Sequence, residues 1–145
     1  MARIAESRTM TQLDEALTST IYASAGRDMG KSFRMSEIDP MTKAGYALRF
    51  NSALRVDSYQ ALIDMWREGA EEGAAPIDAI MKTLQGSDAQ AIHALVSELL
   101  DYVHVAPDPQ HPGAFRPLMK TDIREMRTLG DVLLALVKLN FISEA

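Results

Sequence analysis

From Asp131 to Phe141 the chain reads Asp-Val-Leu-Leu-Ala-Leu-Val-Lys-Leu-Asn-Phe, and this run constrains the fold more than any other feature. Wound at 3.6 residues per turn, the apolar side chains from Val132 to Phe141 surround the whole circumference of a helix, interrupted only by Lys138 and Asn140. A helix that is apolar all round must be covered on more than one side. Fully burying one such side chain contributes about 1.5–3 kcal/mol, so leaving even three exposed forgoes several kcal/mol. Two arrangements meet that demand: a central core helix, or a helix partly covered by another subunit. We expect a homo-oligomer, in which Leu134 and Phe141 touch the neighbour while Leu133 continues an intramolecular stripe from Ile123 and Met126.

The rest of the chain predicts a mainly α (α+β) fold of about five helices with a small N-terminal β-hairpin. Residues 1–11 lack apolar periodicity and read as flexible; a short helical turn follows over Thr11–Leu17. Ile21–Ser24 and Ser32–Ile38 are β-like runs on either side of a glycine-bounded turn, Ala25–Gly30. An isolated hairpin is marginal in water, so this one must lie on helices or pair with a neighbour. Phe33 and Met35 on the hairpin join Leu134 and Phe141 as candidate protein-contact residues, and the hairpin edge offers a second self-pairing surface.

Asp39-Pro40 starts the first helix, with Met41, Ala44, Ala47, Leu48 and Leu54 as its stripe. Asp57-x-x-Gln60 caps a second, carrying Leu62, Met65 and Trp66 toward Gly69 and Gly73. Pro76 opens a third, which ends at Gly86. A fourth follows Ser87-x-x-Gln90 and carries Ile92, Leu95, Val96, Leu99 and Val103. Residues 106–117 hold four of the six prolines and read as an extended loop, after which Asp122-x-x-Glu125 caps the final helix. Nothing divides the 145 residues, so 1–145 is expected to be one domain, long enough to bury roughly 70% of its extended-chain surface.

Composition excludes several functions. There is no cysteine, hence no disulfide, thiolate metal site or cysteine nucleophile. No run approaches the ~20 apolar residues of a membrane span, and the first residues lack the apolar core of a secretory signal. The net charge is -5, and Asp57–Asp101 alone holds nine acidic residues against Arg67 and Lys82. A nucleic-acid binder shows the opposite, a basic stripe matched to phosphates, so no nucleic acid is expected as partner. Nine methionines fit two uses, as core filler or as an adaptable binding surface.

Catalytic and metal motifs are missing. His93 and His104 fall on nearly one face of the fourth helix, but eleven residues place them roughly 16 Å apart, too far for one zinc. His111 stands in the proline-rich loop without a partner that sequence can supply. Gly26-Arg-Asp-Met-Gly-Lys31-Ser32 ends like a phosphate-binding loop, but its glycines are one residue too close and a strand follows where a helix is required. Glu68, Glu71 and Glu72 read as a solvated face, or else as a calcium or partner contact. Arg116, Lys120, Arg124 and Arg127 read as surface interleaved with Asp122, Glu125 and Asp131, or as a docking spot for an acidic partner. We therefore expect no cofactor, no metal and no enzymatic activity.

Two stretches carry a resemblance. Gly30-Lys-Ser-Phe33-Arg-Met-Ser-Glu37-Ile-Asp-Pro40 followed by a helix, and Phe115-Arg-Pro-Leu118-Met-Lys-Thr-Asp122-Ile-Arg-Glu125 leading into an apolar helix, resemble the opening and closing segments of small proteins of tailed phages and prophages. With Pro-Ile-Asp-Ala-Ile-Met81 between them, the resemblance spans roughly residues 25–141. These proteins look like tail assembly chaperones, which hold the tape-measure protein and help tail-tube subunits assemble around it. The resemblance implies a non-enzymatic protein of the host cytoplasm whose partners are the tape measure and the tail tube. The alternatives are a structural virion component, such as a tail or head–tail connector protein, and more distantly a small nucleotide-binding enzyme resting on the Gly26–Ser32 loop.

Overall fold

A computed structural model of the chain describes residues 18–56, 58, 60, 61, 63, 64, 67 and 88–142. The expected flexible 1–11, the turn over 11–17 and the helix opened by Pro76 lie outside the described residues. So does most of the helix expected from Asp57, although Gln60, Ala61, Ile63, Asp64 and Arg67 are helical.

The sheet is larger than the sequence suggests. Strands β1 (Thr18–Tyr22), β2 (Ser32–Ser36), β3 (Val103–Ala106) and β4 (Arg116–Pro117) form one antiparallel sheet in the order β1-β2-β3-β4. Three helices have all their residues described: α1 (Pro40–Leu54), α2 (Ala89–Leu99) and α3 (Met126–Phe141). This corrects the expectation of a mainly α chain of about five helices with only a hairpin. The fourth expected helix stops at Leu99, passes through a 3-10 turn over Leu100–Tyr102 and becomes β3. Val103 stands four residues after Leu99, so it satisfies helical periodicity and strand alternation alike, and spacing could not separate them. Packing decides it: Val103 and Val105 pair with Met35 and Phe33 on β2, and all four are at most 1% exposed. The expected 106–117 loop likewise ends in β4, whose Arg116 pairs with Val105.

The expected hairpin is present, but its first strand runs over Thr18–Tyr22 and not Ile21–Ser24, and its second ends at Ser36. Thr18 pairs with Ser36 and Tyr22 with Ser32. The connection needs backbone that side chains disfavour: Gly26 and Gly30 adopt φ of 72° and 90°. A Cβ on Gly30 would also sit 3.1 Å from Pro109.

Helix α1 is capped as expected, its Asp39 carboxylate accepting the Thr42 N–H at 3.0 Å, with Pro40 in the first position. Its buried face matches the expected stripe only in part, at Ala47 and, at the margin of the core, Leu54. Tyr46, Ala47, Phe50 and Ala53 turn inward, while Met41 and Leu48 from the expected stripe are 83% and 70% exposed. The two aromatic residues have more surface to bury than Met41 and Leu48, and they set the helix's rotation. Tyr46 meets Tyr102 edge-to-face at 6.2 Å, and Arg49 bonds Glu98 of α2 through both guanidinium nitrogens.

Helix α3 begins at Met126, not at an Asp122 cap, because the Asp122 carboxylate is already engaged by Arg116 and by the Met119 N–H. It packs against β1 and β2. Val132 and Leu136 are fully buried, Leu133 and Phe141 nearly so. Asn140 is buried too, and its bonds explain a polar residue in an apolar run. Its Oδ1 accepts the Ile38 N–H at 2.7 Å, and its Nδ2 donates to the Ser36 and Leu136 carbonyls. Asn140 thus pins the chain leaving β2 to the last turn of α3.

Candidate protein-interaction surface

Two charged residues at the hairpin turn, Asp28 and Lys31, are folded inward. The Asp28 carboxylate is 0% exposed and accepts from Lys31 Nζ at 3.0 Å, from the Arg124 N–H at 3.0 Å and from the Glu125 N–H at 3.0 Å. Lys31 Nζ also donates to the Asp122 carbonyl at 2.8 Å. In return the Glu125 carboxylate accepts the Arg27 N–H at 2.8 Å, and the Arg27 guanidinium donates to the Arg124 carbonyl. Next to this, Arg116 grips Asp122 in a two-pronged pair at 2.7 and 2.8 Å. Burial pushes the Asp28 pKa up, but the bonds from Lys31, Thr128 and Arg124 outweigh it and hold the carboxyl below its ordinary value. The Asp122 carboxyl is lowered chiefly by Arg116.

This clamp joins the hairpin turn to the N-terminus of α3, where a carboxylate is also favoured by the helix dipole. It unites the two stretches that carried the resemblance, since Lys31 belongs to one and Asp122 to the other. It also accounts for the Gly26–Ser32 loop: Lys31 is committed to two internal acceptors, and Ser32 is buried in β2.

Around the clamp the methionines are exposed. Of the five described, only Met35 is in the core, whereas Met29, Met41, Met119 and Met126 are 60–83% exposed. Core filling, the blander of the two uses, therefore fails for four of them. Met126 does not join the intramolecular stripe assigned to it from sequence. Met29 follows Asp28, Met126 follows Glu125, and Met119 gives its N–H to Asp122, so all three border the clamp at one end of the domain. Sequence reasoning did not single out Met29 or Met119 and counted Met126 with the core. The available signal was the charged residue beside each of them.

The four candidate contact residues separate. Phe33, Met35 and Phe141 lie in the core cluster and offer no surface to a partner. Leu134 is half-buried and lines an open groove of about 670 Å³ with Ser19, Ile21, Tyr22, Asp131, Ala135, Lys138 and Leu139. That groove runs between α3 and β1, which is at one edge of the sheet among the described residues.

The histidines stand apart. His93 is exposed on α2, and His111 Nδ1 lies 2.8 Å from Asp108 in the loop. His104 is in β3 and not on the helix of His93, so their expected common face does not exist. Among the described residues no group of three or more metal-ligating side chains converges. Of the basic residues, Arg116 is paired with Asp122, while Lys120, Arg124 and Arg127 are exposed. Glu68, Glu71 and Glu72 lie outside the described residues. No helix among the described residues is long and apolar enough to cross a membrane.

No family model, curated protein or solved structure matches the chain.

Proposed function

We propose that this protein is a non-enzymatic bacteriophage tail assembly protein, a chaperone that holds the tape-measure protein in the host cytoplasm during tail morphogenesis. The observation carrying this reading is the exposure of Met29, Met119 and Met126 around one rigid end of the domain. A chaperone for a long apolar client needs adaptable apolar surface on a fixed support. Methionine supplies the first through its flexible, polarizable side chain, and the buried clamp around Asp28 supplies the second. The resemblance of the Gly30–Pro40 and Phe115–Glu125 stretches to tail assembly chaperones adds independent support for the class of client.

The test is co-expression with the tape-measure protein encoded in the same genome. The wild-type chain is expected to co-purify with it, and a triple variant, Met29→Gln, Met119→Gln and Met126→Gln, to lose it while melting within a few degrees of wild type. Retention by the folded triple variant, or no retention by wild type, overturns the reading. Many copies of the chain in purified virions would instead assign it to the particle.

A further inference from the structure

We infer that a second copy of this chain covers the β1–α3 groove, joining the two sheets through β1 about a two-fold axis that passes beside Thr20 and Leu134. The inference does not rest on the tail-assembly reading, and its tests use the purified chain alone.

The first support is the edge of the sheet. Among the described residues, β1 has β2 on one side and no strand on the other. The bond from the Ala23 N–H to the Lys31 carbonyl sets the phase of the ladder. Antiparallel bonding alternates, so Ile21 and Ser19 bond β2 while Thr20 and Tyr22 turn their backbone groups outward. An exposed row of such groups is a template for another strand.

Charge supplies the second support. Asp131, Leu134, Ala135 and Lys138 lie at helical spacing along the groove-facing side of α3. Asp131 and Lys138 are two turns apart, roughly 10 Å along the axis, and so are not partners within one chain. An antiparallel second copy reverses the order. Asp131 then faces the neighbour's Lys138 twice over, with Leu134 and Ala135 at the centre. The patch is complementary to itself, as a two-fold interface requires.

Spacing supplies the third. Helix α3 contacts both β1 and β2, so it sits over the gap between them. With strands about 4.8 Å apart, pairing β1 with its copy puts each α3 about 4.8 Å from the axis. The two helices then lie roughly 9.6 Å apart, inside the 8–10 Å range of packed helices. The same axis serves both layers, because Ser19 and Ile21, which flank Thr20, line the groove with Leu134 and Ala135.

Sedimentation equilibrium at low salt should give twice the 16.0 kDa chain mass. Asp131→Lys alone and Lys138→Asp alone should each weaken association at least tenfold, and the two combined should restore it. A 16.0 kDa species for wild type at tens of micromolar, leaving the edge to a client strand, overturns the proposal. So does a folded double variant that stays monomeric when each single variant is. Thr20→Cys is a check that disturbs no core, since Thr20 is exposed and the chain has no other cysteine. Its two copies would stand about 5.5 Å apart at Cα, within disulfide reach. Mild oxidation should therefore give a covalent dimer, whereas Met119→Cys at the other surface should not. No Thr20→Cys crosslink overturns the two-fold.

Discussion

Asp28 and Arg124 are 96 residues apart in sequence, yet the carboxylate of one accepts the backbone N–H of the other at 3.0 and 3.1 Å. This bond and its neighbours fasten the hairpin turn to the start of α3, closing the domain with a polar contact where the sequence pointed only to a turn. Asp28→Ala removes one partner of a buried pair and leaves the Lys31 ammonium, 16% exposed, without its carboxylate. The expected loss of stability in urea unfolding is about 3–5 kcal/mol. Replacing Lys31 by Met in the same chain should return part of it. A loss below about 1 kcal/mol would show that the clamp does not close the fold.

The same carboxylates set the acid limit. Asp28 and Asp122 have folded pKa values below the ordinary 3.8, so the unfolded chain binds their protons first as pH falls. Their stabilisation is full well above pH 3.8 and disappears as pH drops below it toward the folded values. Burial, and then the bond with Tyr102, pushes Tyr46 up to about 12, which gives the opposite limit. Stability from its neutral form is full below pH 10 and falls as pH rises from 10 toward 12. Thermal melts across pH should show both flanks, and absorbance at alkaline pH should show the late titration of Tyr46.

Asn140→Leu keeps the volume and removes the bonds. The Ile38 N–H, buried with it, loses its acceptor, and the expected cost is about 1–3 kcal/mol. Hydrogen exchange should find the Ile38 amide less protected than in wild type. An unchanged melting temperature would mean that another acceptor replaces Asn140.

The orientation of α1 can be read by substitution. Phe50→Ala, on the inward face, should cost about 3–5 kcal/mol. Met41→Ser and Leu48→Ser, on the outward face, should stay within about 0.5 kcal/mol of wild type. Comparable losses at Leu48 and Phe50 would reverse the assignment.

These residues show how much of the fold was legible. Asp39-Pro40 and the glycines of the hairpin acted locally, so the start of α1 and the turn could be read from a few neighbours. The apolar circumference of α3 demanded cover on several sides, and strands β1 and β2 supply much of it. The rotation of α1 was missed because the stripe counted Met41 and Leu48 and passed over Tyr46 and Phe50. Strand β3 was missed because Leu99 to Val103 obeys two periods at once, and only the pairing with β2 separates them. Of the four candidate contact residues, Leu134 stands at the margin of the core and keeps surface open to the groove. Phe33, Met35 and Phe141 are buried in the core, a difference that spacing could not show, since an apolar residue on a surface element and one in the core look alike without the partner element. The Asp28 clamp joins groups that no local pattern relates.

The sheet order also has a meaning for synthesis. Strand β2 holds the centre of the core through Phe33 and Met35, yet it is flanked by β3 and covered by α3, both encoded far downstream. On the ribosome the hairpin can close early, but its apolar face then waits for most of the chain to emerge, and Ile38 waits for Asn140, 102 residues on. During that interval a strand edge and an apolar face stand open together, the condition under which a nascent chain aggregates or needs a helper. A protein that we propose guards another's apolar surface thus exposes its own until its final helix is made.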